Sequence, residues 1–367
     1  MAEYNPFSRG PYPVGVKTYE IMDSTRQRKL PVECWYPSTD AYRGKDLDRN
    51  TQDSYLLMPS FPKMRQAAVR DAEIAPDLCP LVIFSHGLAG HRRQTTHFCT
   101  HLASHGYIVA SADHVGNTMP DLMNMAMQSP KGGNAPNFAK TLMDSATARP
   151  LDVSFTIDMM LAGEMGARIA PDRIGICGHS FGGWTALAAT GRDRRIKAAL
   201  PLAPAGGKTI INPMSNFFSK LLSLDWDRPV PTLYLVADLD SLLPIDGMRD
   251  LFSRTHQPKK MVILKNADHF HFCDGVEATH DLFRKMGGLS PFIAPGGEGG
   301  PESMKNSKPS SELLPGRKAY TFLQGLGLAH MDGHLKNNPD ALEFLKGDIK
   351  SLLAGKNIEV ETEPIGL

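Results

Sequence analysis

Residues 174–184 read Ile-Gly-Ile-Cys-Gly-His-Ser-Phe-Gly-Gly-Trp. Small and apolar residues lead into Gly178-His-Ser180-Phe-Gly182, and a helix-compatible Trp-Thr-Ala-Leu-Ala-Ala-Thr follows. This order predicts a buried strand, a sharp turn and a helix. The turn matches Gly-x-Ser-x-Gly, the nucleophile elbow, in which the serine is exposed on a strained corner and the glycines let backbone pass closely. Ser180 is therefore the predicted nucleophile; an ordinary glycine-rich turn is the alternative interpretation.

The segments around this turn predict alternating strands and helices. Residues 14–36 predict an antiparallel hairpin. Residues 80–85 form an apolar strand ending in His-Gly, and a polar helix over 92–105 and a strand over 107–112 follow. A strand, a helix and a strand within about thirty residues predict a right-handed parallel crossover. Further strands are expected at residues 196–202, 229–237 and 260–264.

These elements predict an α/β fold with a mostly parallel central sheet of about eight strands, flanked by helices. We expect one domain over residues 1–367, because α/β folds of this length are often single domains with insertions. Irregular composition places the insertions at about 37–80, 116–150, 205–228 and 287–310. A short helix is expected at 63–72, in the first of them.

The second insertion is rich in methionine. It carries Met119, Met123, Met125 and Met127, followed by a glycine-broken stretch. Such spacing is typical of a lid with an adaptable apolar lining and equally of a helix that packs its methionines into the core. The sequence leaves both alternatives open.

Composition excludes several classes of partner. The formal net charge is +1 and lysine and arginine form no block, so no binding of nucleic acid is expected. No apolar run reaches the roughly 20 residues that span a bilayer. The first residues lack signal-peptide features, which favours a cytoplasmic protein, although a secreted form with its signal removed would read the same. The sequence carries no sign of oligomeric state.

No metal or cofactor is expected. The five cysteines lack Cys-x-x-Cys spacing, which predicts neither a zinc site nor a disulfide framework. His269, His271 and His280 could be read as a metal site, but no matching carboxylate and histidine spacing exists elsewhere.

A nucleophilic serine needs a histidine to accept its proton and an acid to orient that histidine. On this strand, turn and helix pattern the partners follow in the order serine, acid, histidine. Asp240, a short turn beyond the strand ending at residue 237, is the predicted acid, with Asp238 as second choice and Asp246 more typical of a helix start. His269 follows the last strand and is the predicted base, with His271 as the alternative.

The negative charge of a tetrahedral intermediate requires preorganised donors. The backbone N–H groups of Phe181, directly after the nucleophile, and of Leu88, in the loop after the strand at 80–85, are the predicted oxyanion hole. The other histidines, His179 among them, are expected in surface or packing roles. Candidate substrate-binding residues lie at a strand end or in the apolar series of the third insertion: His114, Phe217, Phe218 and Trp226, with His271 as a further pocket residue.

These landmarks resemble the α/β hydrolases, and within them the platelet-activating-factor acetylhydrolase-like and dienelactone-hydrolase-like serine esterases. Phe-Ser-His-Gly-Leu at 84–88 and Gly-His-Ser-Phe-Gly-Gly at 178–183 carry most of the resemblance, with Cys-Trp-Tyr-Pro at 34–37 and Tyr-Thr-Phe-Leu-Gln at 320–324. The resemblance implies the α/β-hydrolase fold, Ser180 as nucleophile and His269 as base. In the animal acetylhydrolases the acid follows the strand after the elbow, but residues 202–207 hold no carboxylate. Asp240 matches the acid of dienelactone-hydrolase and cutinase-like relatives instead.

The predicted function is hydrolysis of a small apolar ester of short to medium chain length through an acyl-enzyme, without a cofactor. One alternative is a phospholipid-type acetylhydrolase or another serine-triad reaction, such as acyl transfer or amide hydrolysis. A non-catalytic binding protein on the same fold is a further alternative.

Overall fold

A computed structural model describes residues 4–56, 63–128, 138–209, 213–286 and 302–363. Ten strands form one sheet, and a separate pair is formed by β3 and β4. The strands are β1 (Val14–Asp23), β2 (Arg28–Pro37), β3 (Ser54–Tyr55), β4 (Met64–Arg65), β5 (Val69–Arg70), β6 (Cys79–Ser85), β7 (Ile108–Ala112), β8 (Ile169–His179), β9 (Ile196–Leu202), β10 (Thr232–Ala237), β11 (Lys259–Leu264) and β12 (Val360–Glu363).

The large sheet has the order β12-β11-β10-β9-β8-β6-β7-β2-β1-β5. Its centre, from β7 to β11, is parallel throughout. The hairpin of β1 and β2 pairs antiparallel with β7, and β12 closes the other edge antiparallel to β11. Because parallel strands end at one edge of a sheet, the segments after β6, β8, β10 and β11 meet there. The predicted nucleophile, acid, base and oxyanion loop all follow these strands.

Helices cover both faces of the sheet. Along β6, Val82 and Phe84 point into one buried cluster, and Leu81 and Ile83 point into another. This alternation is the period-two pattern of a strand buried on both faces. The helices are α1 (Thr96–Ser104), α2 (Met119–Gln128), α3 (Phe138–Ala162), α4 (Phe181–Arg192), α5 (Pro213–Leu221), α6 (Ile245–Arg254), α7 (Val276–Met286), α8 (Glu302–Lys305), α9 (Gly316–Leu335), α10 (Pro339–Lys346) and α11 (Ile349–Ala354).

The α/β class, the hairpin and the parallel crossover were predicted correctly, whereas the sheet is wider than the eight strands expected. The two edge strands, β5 and β12, were missed because they are only two and four residues long. The helix expected at 63–72 is wrong, since β4 and β5 occupy that region. There Gln66 accepts the Trp35 indole N–H at 2.7 Å and Arg70 pairs with Glu33 at 2.8 Å. These distant partners override the local helical pattern.

The methionine-rich segment forms α2. Leu122 is buried, while Met119, Met123 and Met125 are half-buried and Met127 is 71% exposed. These methionines therefore do not form the core-facing stripe that one of the two interpretations required. Residues 129–137 of this insertion, 57–62 of the first, 210–212 of the third and 287–301 of the fourth lie outside the described residues. Within the described ranges, no helix combines the length and apolar character needed to cross a bilayer.

Candidate active site

Ser180 occupies the turn between β8 and α4. Its backbone has φ 59° and ψ −119°, a region that non-glycine residues rarely adopt. Such a conformation costs about 1–3 kcal/mol and persists where the surroundings fix it. Here the Ser180 N–H donates to Leu202 O at 2.9 Å, and Ser180 O accepts from Ala205 N at 3.0 Å. The end of β9 thus holds the corner, and the Ser180 side chain is half-buried.

The two glycines of the elbow are required by close backbone contacts. A Cβ at Gly178 would lie 2.2 Å from Gly182 O, and a Cβ at Gly182 would lie 1.9 Å from Ser85 O. Both distances are far inside van der Waals contact, and the opposing atoms are backbone. Only glycine therefore lets α4 begin against the ends of β6 and β8.

His269 and Asp240 lie against each other. His269 Nδ1 is 2.7 Å from Asp240 Oδ2, and both residues are buried. The other carboxylate oxygen of Asp240 accepts the Leu242 and Leu243 N–H groups at 3.0 and 2.7 Å. Burial raises the pKa of Asp240, and His269 and the Leu243 N–H oppose that rise. The carboxylate is thus oriented by three donors and fixes one ring nitrogen of His269.

The other acid candidates have partners elsewhere. Asp238 Oδ2 lies 3.0 Å from Lys265 Nζ, and Asp246 Oδ2 accepts the Thr209 hydroxyl at 3.0 Å. Asp240 is accordingly the candidate whose carboxylate reaches the His269 ring.

Asp268 joins the loops that carry Asp240 and His269. Its Oδ1 accepts the Ser241 N–H at 2.9 Å, the Ser241 hydroxyl at 2.8 Å and the His269 N–H at 2.5 Å. Because Asp268 is almost fully buried, these bonds fix the spacing between the acid loop and the histidine loop.

The loop after β6 lies directly beside Ser180. A Cβ at Gly87 would be 3.3 Å from Ser180 Cβ, so the Gly87–Leu88 peptide borders the nucleophile corner. On the other side, Phe181 is the first residue of α4, where backbone N–H groups have no acceptor within the helix. The positive end of the helix dipole favours negative charge at the same place. Both predicted oxyanion donors therefore flank Ser180.

A second serine, histidine and aspartate arrangement lies beneath this loop. His114 Nε2 is 2.9 Å from the Ser85 hydroxyl, and His114 Nδ1 is 3.1 Å from Asp152 Oδ2. All three residues are 2% exposed or less, so no substrate reaches Ser85. Burial and Arg149 lower the pKa of His114 to about 4, which keeps the ring neutral at physiological pH. The cluster braces the loop from inside.

Several predicted pocket residues lie elsewhere. Both ring nitrogens of His114 are bonded within the internal cluster. His271 Nε2 is bonded to Leu314 O at 2.9 Å, and His271 Nδ1 accepts the Asp268 N–H at 2.9 Å. Trp226 packs on Gly191, eleven residues and roughly 16 Å along α4 from Ser180. His114 and His271 are thus occupied by internal hydrogen bonds, and Trp226 lies at the end of α4 remote from Ser180. His280 Nε2 binds Lys308 O at 2.8 Å, so this nitrogen of the alternative metal interpretation already has a partner.

Phe217 and Phe218 remain near the elbow. The Phe218 ring is 4.5 Å from that of Phe181 and 6.1 Å from that of Trp184, and its carbonyl accepts the Trp184 indole N–H at 2.9 Å. Phe217 is half-buried and contacts Phe218 edge-on. Phe218 thus supports the start of α4 from behind, and Phe217 is the more accessible of the two.

Sequence reasoning missed the polar residues that connect the loops. Gln94 forms hydrogen bonds both to the loop after β6 and to His179. His179 is in turn bonded to the carbonyl oxygen of His269 at 2.9 Å. Arg149 is fully buried beneath Phe181. Gln94 and His179 carry no distinguishing local pattern. Arg149 and Asp152 could have been noticed as charges three residues apart at the start of an apolar helical stretch.

Two family models each match part of the chain. Residues 3–120 match the family model "Platelet-activating factor acetylhydrolase, isoform II", and residues 77–228 match "Serine aminopeptidase, S33". The chain is 21% identical over 327 residues to the platelet-activating factor acetylhydrolase of Cavia porcellus, covering 77% of this chain and 71% of that protein. It is 25% identical over 196 residues to cutinase est1 of Thermobifida alba, covering 52% of this chain and 53% of the cutinase.

A solved structure extends the likeness to nearly the whole chain. The ferulic acid esterase from Streptomyces cinnamoneus superposes with a TM-score of 0.63 at 24% identity, covering 96% of this chain and 97% of that one. At this identity the superposition establishes the fold. The parallel centre of the sheet and the elbow between β8 and α4 are thus those of an α/β hydrolase.

The acetylhydrolase and cutinase relatives indicate an ester-hydrolysing enzyme, and the superposition shows that it has the α/β-hydrolase fold. Within that superfamily the chain resembles the platelet-activating factor acetylhydrolases and the cutinases.

Proposed function

We propose that the protein is a serine-dependent carboxylic-ester hydrolase in which Ser180 is the nucleophile, His269 the general base and Asp240 the acid that orients His269. The observation that carries the proposal is the 2.7 Å contact between His269 Nδ1 and Asp240 Oδ2, on loops at the same sheet edge as Ser180. The buried Ser85 cluster has similar distances, but its lack of exposure favours Ser180 as the reacting serine.

The reaction follows from these positions. Asp240 holds the proton on His269 Nδ1, which leaves Nε2 to accept the Ser180 hydroxyl proton as its oxygen attacks the ester carbonyl carbon. The carbonyl oxygen becomes negative and binds the Leu88 and Phe181 N–H groups. The intermediate then collapses, the alcohol leaves with the proton from His269, and an acyl-Ser180 ester remains. Water, deprotonated by His269, attacks that ester and releases the acid and free Ser180.

The surroundings of α4 favour an apolar ester of short to medium chain length. A cavity of about 440 Å³ lies between α3 and α4; Met143, Trp184 and Leu221 form an apolar part of its lining, and Arg192, Ser223 and Asp225 form a polar part towards the end of α4. Trp184 is one turn along α4 from Ser180, so the apolar part of this cavity lies along the helix that begins at the nucleophile. The half-buried Phe217 adds apolar surface nearby. The apolar part of the cavity and Phe217 suit a hydrocarbon acyl or alcohol group.

Two measurements test the proposal together. A fluorophosphonate probe should label the wild-type enzyme on the peptide that contains Ser180, and a series of p-nitrophenyl esters from acetate to dodecanoate should give its chain-length preference. Ser180→Ala should lower kcat roughly 10⁴-fold or more and abolish labelling while the circular dichroism spectrum is unchanged. Activity retained by Ser180→Ala, or labelling of Ser85, would contradict the assignment. Absence of labelling in the wild type would favour a binding protein.

A phospholipid with a short sn-2 acyl group is the second candidate substrate. The match of residues 3–120 to the platelet-activating factor acetylhydrolase model favours it. The position of the acid argues for the simpler esters, because Asp240 follows β10 whereas the acetylhydrolase pattern places it after β9. Release of acetate from a short-chain phospholipid at a rate above that of p-nitrophenyl acetate would favour the phospholipid. Amide substrates and alcohol acceptors in the same assay would reveal amide hydrolysis or acyl transfer.

A further inference from the structure

Arg149 is a fully buried arginine on α3 that contacts both sides of the elbow. We propose that Arg149 is a positioning residue that holds the two halves of the oxyanion hole, the Leu88 peptide and the Phe181 peptide, in register. This inference rests on the proposed serine mechanism and adds to it a residue outside the triad.

The first half of the hole is held through the loop after β6. Arg149 Nη2 donates to His86 O, and Nη1 donates to Asn117 Oδ1 at 2.6 Å. Asn117 in turn accepts the Ala89 N–H on its backbone oxygen at 3.1 Å. The guanidinium therefore fixes the chain directly before Leu88 and, through Asn117, directly after it.

The second half is held through an aromatic contact. The guanidinium carbon of Arg149 lies 4.4 Å from the centre of the Phe181 ring, within the range of a cation–π interaction. Phe181 is 1% exposed and is backed by Phe218 and Trp184. The guanidinium therefore supports the Phe181 ring, and the backbone N–H of Phe181 is the predicted donor on the α4 side. One planar group thus contacts both donor segments.

The cost of burying this charge argues for a role beyond folding. Among the described residues, no carboxylate lies within ion-pair distance of Arg149; Asp152, three residues along α3, is taken by Arg26, Arg28 and His114. Burial lowers the pKa of Arg149 to about 9, so the group is still charged at neutral pH. A buried cation paired only with neutral oxygens and a ring is a poor source of stability. Its charge does strengthen its bonds to the His86 and Asn117 oxygens.

The effect is expected in the transition state. The oxyanion forms only as Ser180 attacks, and donors displaced by a fraction of an ångström stabilise it less while ground-state binding changes little. Removing the guanidinium should therefore lower kcat and leave KM nearly unchanged. A trifluoromethyl ketone, whose adduct with Ser180 carries the same negative oxygen, should lose affinity by the same factor as kcat/KM.

The test uses Arg149→Met, which keeps an unbranched apolar stem without the charge, and Arg149→Lys, which keeps the charge with a single donor group. Arg228→Met is the matched control. Arg228 is also mostly buried and binds the carbonyl oxygens of Thr190, Asp193 and Ile196 at 2.9 to 3.1 Å, but at the far end of α4. The Arg228→Met variant loses a guanidinium that binds carbonyl oxygens, at a comparable cost in stability, but its site does not contact the loop after β6.

We expect Arg149→Met to lower kcat about 10²-fold, the scale of one lost oxyanion donor, with KM within about threefold and a parallel rise in the ketone Ki. Arg149→Lys should lie between this variant and the wild type, and it carries the test if Arg149→Met does not fold. Arg228→Met should lower the melting temperature with kcat within about threefold. Unchanged kcat and Ki in both Arg149 variants, or an equal kcat loss in Arg228→Met, would overturn the proposal. A failure of the proposed serine mechanism would be recognised separately, because the fluorophosphonate probe would then not label Ser180 in the wild-type enzyme.

Discussion

Gln94 Nε2 lies 2.8 Å from His179 Nδ1, which links the loop after β6 to the nucleophile turn. The other end of the Gln94 amide, Oε1, accepts the Gly87 N–H at 2.7 Å. His179 must therefore accept on Nδ1, and its Nε2–H donates to His269 O at 2.9 Å. Burial and the neighbouring His269 lower the pKa of His179 well below its ordinary value, which keeps the ring neutral. A chain of three bonds thus joins the oxyanion loop, the elbow and the histidine loop.

The first prediction concerns Gln94→Glu. A carboxylate still accepts the Gly87 N–H but offers no donor to His179 Nδ1, and protonating His179 instead is disfavoured by burial. We expect kcat to fall about 10- to 100-fold as His269 loses its fixed position, and the free energy of unfolding to fall by about 1–3 kcal/mol. Steady-state kinetics and urea denaturation measure both.

Gln324→Glu is the control for that substitution. Gln324 Nε2 donates to His97 O at 3.0 Å on the α1 side of α9, away from Ser180. Its loss should cost stability with little change in kcat. Equal effects of the two variants on kcat would mean that the Gln94 chain has no special role in catalysis.

The second prediction concerns the acid. Asp240→Asn keeps the shape but removes the charge that fixes and stabilises the protonated His269 ring, so kcat should fall roughly 10²- to 10⁴-fold. Asp238 lies two residues before Asp240 and pairs with Lys265. Asp238→Asn should leave kcat within about threefold. The kcat values of the two variants are compared in the same ester assay at one pH. If Asp238→Asn were the more damaging variant, the acid assignment would be wrong.

The sequence was most informative where a structural requirement is local. An apolar strand, a glycine on each side of Ser180 and a helix-forming stretch determine the elbow within eleven residues, and chain order led from Ser180 to Asp240 and His269. Those three side chains follow β8, β10 and β11 as expected, although their roles remain predictions. The parallel order of the strands also followed from the spacing of the apolar runs.

The supporting residues could not be found in the same way, because their function depends on partners far away in the chain. Gln94 lies 85 residues from His179, and Arg149 lies 63 residues from His86. His114 was expected to face substrate because it ends a strand, but its neighbours Ser85 and Asp152 draw it inward. Hydrophobic periodicity indicates which face of a helix is buried and says nothing of which polar groups meet there.

The third prediction concerns Gly182. An alanine Cβ would lie 1.9 Å from Ser85 O, a backbone atom at the end of β6 that cannot give way as a flexible side chain would. We expect Gly182→Ala to lower the free energy of unfolding by at least about 3 kcal/mol or to prevent folding. Gly355→Ala, where the nearest atom would be 3.4 Å away and the backbone is helical, should be neutral or stabilising by up to about 1 kcal/mol. Thermal unfolding of both proteins tests this; comparable melting temperatures would contradict the tight contact.

The fourth prediction concerns pH and His97, which stacks on Tyr320 with ring centres 3.8 Å apart. Both of its ring nitrogens are buried without a hydrogen-bond partner among the described residues, and burial lowers the pKa of His97 to about 3. The unfolded histidine binds a proton below about pH 6.5, so between about pH 6.5 and 3 the unfolded state binds more protons. Stability from this residue is therefore present above pH 6.5 and is lost as the pH falls.

His97→Phe keeps the stacked ring and removes the titration. At pH 8 it should stabilise the protein modestly, by about 1 kcal/mol, because two unpaired polar atoms are removed. At pH 5 the advantage over the wild type should grow by about 2 kcal/mol, the protonation free energy that the wild type loses there. Urea denaturation at both pH values measures the difference, and His256→Phe, on an exposed histidine, controls for the substitution itself. A constant difference between His97→Phe and the wild type across this range would mean that His97 binds protons equally in the folded and unfolded states, which would contradict the lowered pKa.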